Sequence, residues 1–263
     1  MESALSAQGI HMDYRDRRSG ASLVAIENMD LDVGEGQFVS LLGPSGCGKS
    51  TFLKIVNGLL LCTAGQIKVR SLGKAREDAM VFQDAALFPW YSILDNVAYG
   101  LVCAGVRRAE ARKRAMPFIE LVGLSGFESK YPYQLSGGMQ QRANLARALT
   151  VDSAILLMDE PFASLDAQTR ELMQAELLRI WSAAKKTVIF VTHQIDEAVY
   201  LSDRVVVMSP RPGRILADVH IELPRPRSLE IKRAAQFIAY EEQISTLIGS
   251  HQPAAVAARS DGV

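Results

Sequence analysis

Four short stretches of the sequence are apolar at nearly every position rather than at every second one: Phe38-Val39-Ser40-Leu41-Leu42, Ile155-Leu156-Leu157-Met158, Thr187-Val188-Ile189-Phe190-Val191 and Val205-Val206-Val207-Met208. A strand with one wet face alternates apolar and polar residues, so these runs suit strands buried on both faces, as in a mostly parallel sheet covered by helices. Helical stretches separate them. Residues 50–59 place Phe52, Ile55, Val56 and Leu59 on one side, with Gly58 near the end. Residues 166–184 carry Leu172, Met173, Leu177, Ile180, Trp181 and Ala184 as a single stripe at three-to-four spacing. The chain reads as α/β. Between 88 and 150 the strand signal gives way to a helical one, which predicts a helical subdomain inserted between two parts of the core, 1–87 and 151–222. From 223 the chain is a tail: Pro224-Arg225-Pro226-Arg227 reads as a linker, 229–248 as a helix and the last dozen residues as disordered.

The first apolar run leads directly into Gly43, Pro44, Ser45, Gly46, Cys47, Gly48, Lys49, Ser50 and Thr51, and a predicted helix follows. A glycine-rich loop between a strand and a helix is a phosphate cradle, because its N–H groups can curl around anionic oxygens and the helix start adds positive dipole. Lys49 would neutralise the outer phosphates and the Ser50 hydroxyl could ligate Mg2+. The bland alternative is a turn with a capping serine, against which the Lys49-Ser50 pair and both flanking elements argue. Cys47, beside the helix start and Lys49, is expected to be a reactive thiol that bound nucleotide would shield. Asp159-Glu160 ends the second apolar run, where two carboxylates need a reason: Asp159 can hold the magnesium shell and Glu160 can accept a proton from water. The alternative is an acid that caps a helix or faces solvent.

Composition excludes several classes. With 48% hydrophobic and 22% charged residues the chain is an ordinary globular one. The charge-free run 97–106 is about half of the roughly 20 residues that a bilayer crossing needs. The amino terminus lacks a basic cluster followed by an apolar run, so no secretory signal is expected. Cys47, Cys62 and Cys103 are odd in number and lack metal-ligand spacing, against a disulfide framework and a zinc site. A formal charge of zero gives no basic stripe for nucleic acid, and the cluster 107–114, interrupted by Glu110, reads as a solvated helix face.

At Leu135-Ser136-Gly137-Gly138-Met139-Gln140-Gln141-Arg142 the sequence resembles the signature of the ATP-binding-cassette (ABC) family. Gln83 after the strand 79–82, the loop Ser164-Leu165-Asp166 and His193 after 187–192 complete the resemblance in the family's order and spacing. It implies a P-loop NTPase core with an N-terminal antiparallel β region and an inserted helical subdomain, binding ATP and Mg2+. It further implies that Ser136, Gly137 and Gly138 meet the γ-phosphate of ATP held by a second copy, so that the active unit is a dimer. Gln83 is similar to the residue joining magnesium and the attacking water to a membrane partner, and His193 to the one that contacts the γ-phosphate and steadies Glu160. Tyr14 resembles the ring that stacks on adenine, or is an ordinary strand aromatic. Asp166 reads as a helix cap and, by resemblance, a subunit contact. Met139 stands where the commonest signature has glutamine.

Leu87-Phe88-Pro89-Trp90 with Asp95-Asn96-Val97, and residues 209–215 with 223–227, resemble the nitrate, sulfonate and taurine importer group. That resemblance implies permease subunits as partners, an extracytoplasmic solute-binding protein acting through them, and a peripheral position on the cytoplasmic face of the inner membrane. Phe88 and Trp90 suit a docking patch there, or core packing. A soluble ABC ATPase acting on DNA or ribosomes, a switch that binds ATP without hydrolysing it, and an exporter motor are the rival readings; neither a long coiled-coil insertion nor a fused membrane span is legible, and Glu160 and His193 are both present.

Overall fold

The computed structural model describes residues 3–15, 20–70, 76–151 and 153–250. Its larger sheet has six strands in the order β5 (Arg76–Val81), β6 (Ser153–Asp159), β7 (Thr187–Thr192), β3 (Phe38–Leu42), β8 (Arg204–Met208) and β9 (Ile215–His220). The first five are parallel, and β9 returns antiparallel to β8. A second, antiparallel sheet has the order β2 (Ser22–Gly34), β1 (Ser3–Arg15), β4 (Ala64–Val69).

The unbroken apolar runs are explained by where alternate residues go. On β3, Phe38 and Leu42 join one apolar layer while Val39 and Leu41 join another. The same division separates Leu156 and Met158 from Ile155 and Leu157 on β6, and Val205 and Val207 from Val206 and Met208 on β8. One layer is completed by α1 (Lys49–Val56) and the antiparallel sheet, through residues such as Phe52, Ile10 and Met29. The other is completed by α2 (Ile93–Cys103), α3 (Arg108–Leu121), α4 (Gly137–Thr150), α5 (Ala167–Ala184), α6 (Ile195–Leu201) and α7 (Ala235–Gly249). Both faces are thus dry, as a parallel sheet requires.

Helices α2–α4 lie between β5 and β6 in the chain, with no described strand among residues 88–150, matching the predicted helical insertion. Asp95 in the first turn of α2 receives both Arg108 and Arg112 of α3, at 2.9 and 2.8 Å, and these guanidiniums, Arg112 foremost, hold its carboxyl well below the usual range. The basic cluster read as a merely solvated face is therefore partly an ion-paired brace between two helices.

Other sequence expectations are corrected. Helix α1 stops at Val56, since Gly58 turns left-handed and the Leu59 N–H bonds back to the Lys54 carbonyl; Leu59 is exposed. Leu172, assigned to the buried stripe of α5, is 61% exposed. The tail helix is split into a 3-10 turn, Leu229–Arg233, and α7, because Ala234 between them is extended. The expected disorder of the last dozen residues falls at 251–263, outside the described residues.

The segment read as a linker is a packed strap. Arg225 bonds Asp203 at 2.7 Å and lies over the Trp181 ring at 4.1 Å. Arg227 is buried and donates to the carbonyls of Val199, Tyr200, Ser202, Ile221 and Leu223. Burial lowers its pKa to about 10, which leaves it charged at neutral pH, at the C-terminal end of α6 where the helix dipole favours a cation. Arg227→Met should strip five carbonyls of their donor and lower stability by about 3 kcal/mol, read as a shift in urea midpoint without loss of cooperativity.

Candidate nucleotide site

The loop between β3 and α1 lines a pocket of about 290 Å³ together with Tyr14, Leu23, Ala25, Gln83, Glu160 and Arg211. Gly48, the N-cap of α1, has φ +104°, and a Cβ there would stand 2.8 Å from the Ala25 carbonyl oxygen, so both backbone shape and space demand glycine. The N–H groups of Ser45, Gly46 and Gly48 meet no acceptor among the described residues, which leaves them for an anion. Lys49 is buried at the base of the loop, its ammonium donating to the carbonyls of Gly43 at 2.7 Å and Pro44 at 2.9 Å. A point charge is thus fixed under the amides.

The carboxylates arrive at the end of β6. Asp159 is buried, and the Ser50 hydroxyl donates to its Oδ1 at 2.8 Å; burial raises its pKa while that hydrogen bond opposes the rise. Glu160 holds a left-handed φ of 45°, a conformation that costs a non-glycine residue about 1–3 kcal/mol and is characteristic of functional sites. Its N–H donates to the Val191 carbonyl at 3.0 Å, and its Oε2 lies 3.0 Å from Nδ1 of His193, just beyond β7. Adjacent parallel strands therefore place the acid in the pocket wall and the histidine against it, although His193 itself, like Asp159, is not part of the lining. At the other end the Tyr14 hydroxyl and Thr51 Oγ1 share a hydrogen bond of 3.2 Å, and the half-exposed ring forms part of the wall.

Two predicted residue sets behave differently. Cys47 is fully buried in the apolar layer with Val39, Leu41 and Phe52, which corrects the expectation of a reactive thiol open to nucleotide protection. Ser136, Gly137 and Gly138 are not part of the pocket lining. Ser136 caps α4, accepting from the Met139 N–H at 3.4 Å, and it and Gly137 are exposed. Asp166 caps α5 by accepting from the Thr169 N–H at 3.0 Å. Further along α4, the buried amides of Gln141 and Asn144 both donate to the Phe82 carbonyl at 3.1 Å, and Arg147 donates to that of Ala86 at 2.9 Å, so the signature helix holds both sides of Gln83.

The family model of ABC transporters matches residues 26–163. The chain belongs to that family. An uncharacterized ABC transporter ATP-binding protein of Methanocaldococcus jannaschii is 49% identical over 233 residues, 88% of this chain and 86% of the relative. A taurine import ATP-binding protein, TauB, of Rhizobium johnstonii is 44% identical over 241 residues, 89% of this chain and 92% of the relative. Among solved structures, the dimeric post-hydrolysis state of the ATP-binding cassette MJ0796 bound to ADP and Pi superposes with a TM-score of 0.75 at 30% identity, covering 84% of this chain and 100% of that one. This ABC chain is accordingly an ATPase, and its β and helical layers are those of the ABC fold.

Sequence reading missed Leu23, Ala25 and Arg211 in the pocket wall, since each is brought there by contacts between distant segments. Burial of Cys47 gives a direct test: timed alkylation of the folded ABC protein should label exposed Cys103 at least about ten-fold faster than Cys47, whether or not Mg-ATP is added, as followed by peptide mass spectrometry.

Proposed function

We propose that the chain is the ATP-hydrolysing subunit of an importer for a small solute of the nitrate, sulfonate or taurine kind, working as a dimer beneath separate permease subunits. The observation that carries this reading is the division of one catalytic set. Lys49, Ser50, Gln83 and Glu160 line one pocket, with Asp159 bonded to Ser50 and His193 to Glu160, whereas the Ser136 cap, exposed Gly137 and half-buried Gly138 neither line it nor bond to a residue that does. An anion site at a helix start that meets no nucleotide of its own chain suits a neighbour's ATP. The name of the TauB relative and the dimeric state of MJ0796 support importer and dimer.

In this reading Gly43 to Thr51 cradle the phosphates, Tyr14 stacks on the base, and Glu160 takes a proton from the attacking water. His193 fixes the Glu160 carboxylate through Nδ1 and turns its other nitrogen to the outer phosphate. A hydroxyl and a carboxylate oxygen 2.8 Å apart are hard donors that fit Mg2+, so Ser50 and Asp159 would hold it, with the Gln83 amide oxygen as a third donor. The metal would supply charge to the phosphate oxygens.

ATP binding to both pockets of the dimer favours the closed pair, and hydrolysis releases it. The permease contact would lie at Phe88 and Trp90. Asn96, buried, ties the backbone of Phe88, Tyr91 and Ser92, and this staple presents Trp90 at 67% exposure beside Phe88. No helix among the described residues is long and apolar enough to cross a membrane, which agrees with a peripheral subunit on the cytoplasmic face. The solute-binding protein would act from the far side, through the permease.

Glu160→Gln should lower the hydrolytic rate at least about 100-fold while ATP still binds. Light scattering after size exclusion should show this variant shift from monomer towards dimer with ATP and not with ADP, and Ser136→Arg added to it should abolish the shift. An unchanged rate would remove Glu160 as the base; a monomer saturated with ATP at high protein concentration would remove the shared site. Separately, Trp90→Ala should reduce co-purification with co-expressed permease subunits of this importer class, without lowering the yield of folded chain.

A further inference from the structure

Residues 209–214, between β8 and β9, form a turn closed on itself and seated on the phosphate loop. The Ser209 hydroxyl donates to the Pro212 carbonyl at 2.8 Å and accepts from the Arg214 N–H at 2.9 Å. Gly213 bridges to β2 in both directions, its N–H to the Ala25 carbonyl and its carbonyl from the Glu27 N–H, each at 3.0 Å. It also packs so closely on the Cys47 carbonyl that a Cβ would stand 2.0 Å from that oxygen. The turn is thus bonded to β2 and packed directly against the loop.

Arg211 sits at the tip of this turn, and its Nε donates to the Gly46 carbonyl at 3.1 Å. Its guanidinium covers Gly46 so closely that a Cβ on that residue would lie 2.9 Å from Nη2. Arg214, three residues on, is neutralised by Glu27 at 2.7 Å, whereas Arg211 has no carboxylate partner among the described residues and lines the pocket. An exposed cation held against a loop of free N–H groups, and left without a counter-ion, is an arrangement for an anion.

Its side of the pocket is also defined. In the sheet β3 lies between β7 and β8; Glu160 and His193 emerge beyond β6 and β7, and Arg211 beyond β8. The phosphate loop therefore separates Arg211 from the hydrolytic carboxylate. We propose that Arg211 is a second phosphate-binding cation, which contacts the part of the nucleotide that ATP and ADP share rather than the phosphate that is cleaved. This rests on the reading of the pocket as the nucleotide site. A side chain at this position then sets how firmly ADP is retained after turnover.

The test is calorimetric titration of the purified full chain with ADP and with Mg-ATP, the latter in a Glu160→Gln background. Arg211→Ala should raise both Kd values by a similar factor of about five, more at low than at high ionic strength, and Arg211→Lys should recover part of the loss. KM for ATP should rise by more than kcat falls. Thermal unfolding of the nucleotide-free variant should match that of the parent. A loss confined to ATP would overturn the assigned side, and equal Kd values in variant and parent would overturn the contact altogether. An unfolding temperature lowered in the absence of nucleotide, with the affinity loss the same at every ionic strength, would make Arg211 a brace for Gly46 and refute the proposal. Failure of the parent chain to bind either nucleotide would instead refute the nucleotide reading on which the proposal stands.

Discussion

The backbone of residues 43–48 is wedged between three other backbones, and the remaining architecture serves to keep it there. Gly43 lies against the Met208 carbonyl, Gly48 against that of Ala25, and the Cys47 carbonyl against Gly213. Those contacts come from β8, β2 and the turn before β9, so the antiparallel and parallel sheets meet at the loop. Buried Cys47 and Phe52 anchor it to the apolar layer beneath, and Lys49 ties its two ends from within. Close approach of backbones replaces side-chain packing, and the N–H groups of Ser45, Gly46 and Gly48 are left without an acceptor among the described residues.

The parallel order of the sheet then does the work of assembly. Strands that run the same way end on the same edge, so the loop after β3, the Asp159-Glu160 pair at the end of β6 and His193 after β7 converge although the three segments are far apart in sequence. Glu160 meets His193 with a left-handed backbone, a local cost of a kind that persists only where the surrounding structure holds it, here β6 and β7 on either side.

Much of this was legible. Apolar runs of four or five residues, together rich in β-branched side chains, are too short for a buried helix and suit strands buried on both faces, and the junction at 42–49 names its own chemistry through spacing. The Asp159-Glu160 pair stands out because carboxylates are costly at the end of a buried strand. What was not legible came from contacts without a local period. Cys47 faces inward, though its neighbours in the loop face the pocket. Arg227 lies in a Pro/Arg-rich stretch whose composition signals a linker, yet it fills a ring of carbonyls supplied by α6 and the chain after β9. Leu172 fits the helical stripe by spacing, but the helix rotates it past the edge of its packing partners. Arg211 depends on the turn's seat against a loop 165 residues earlier.

The hydrogen bonds from Gln141 and Asn144 to a single carbonyl, that of Phe82, make the start of the Gln83 loop a rigid appendage of α4. Since Ser136 caps α4, the serine cap and the start of the Gln83 loop are tied to the same helix. The loop at 82–86, which follows β5 in sequence, is therefore held from α4 on both sides of Gln83, so its attachment to the helices is as direct as its attachment to the sheet.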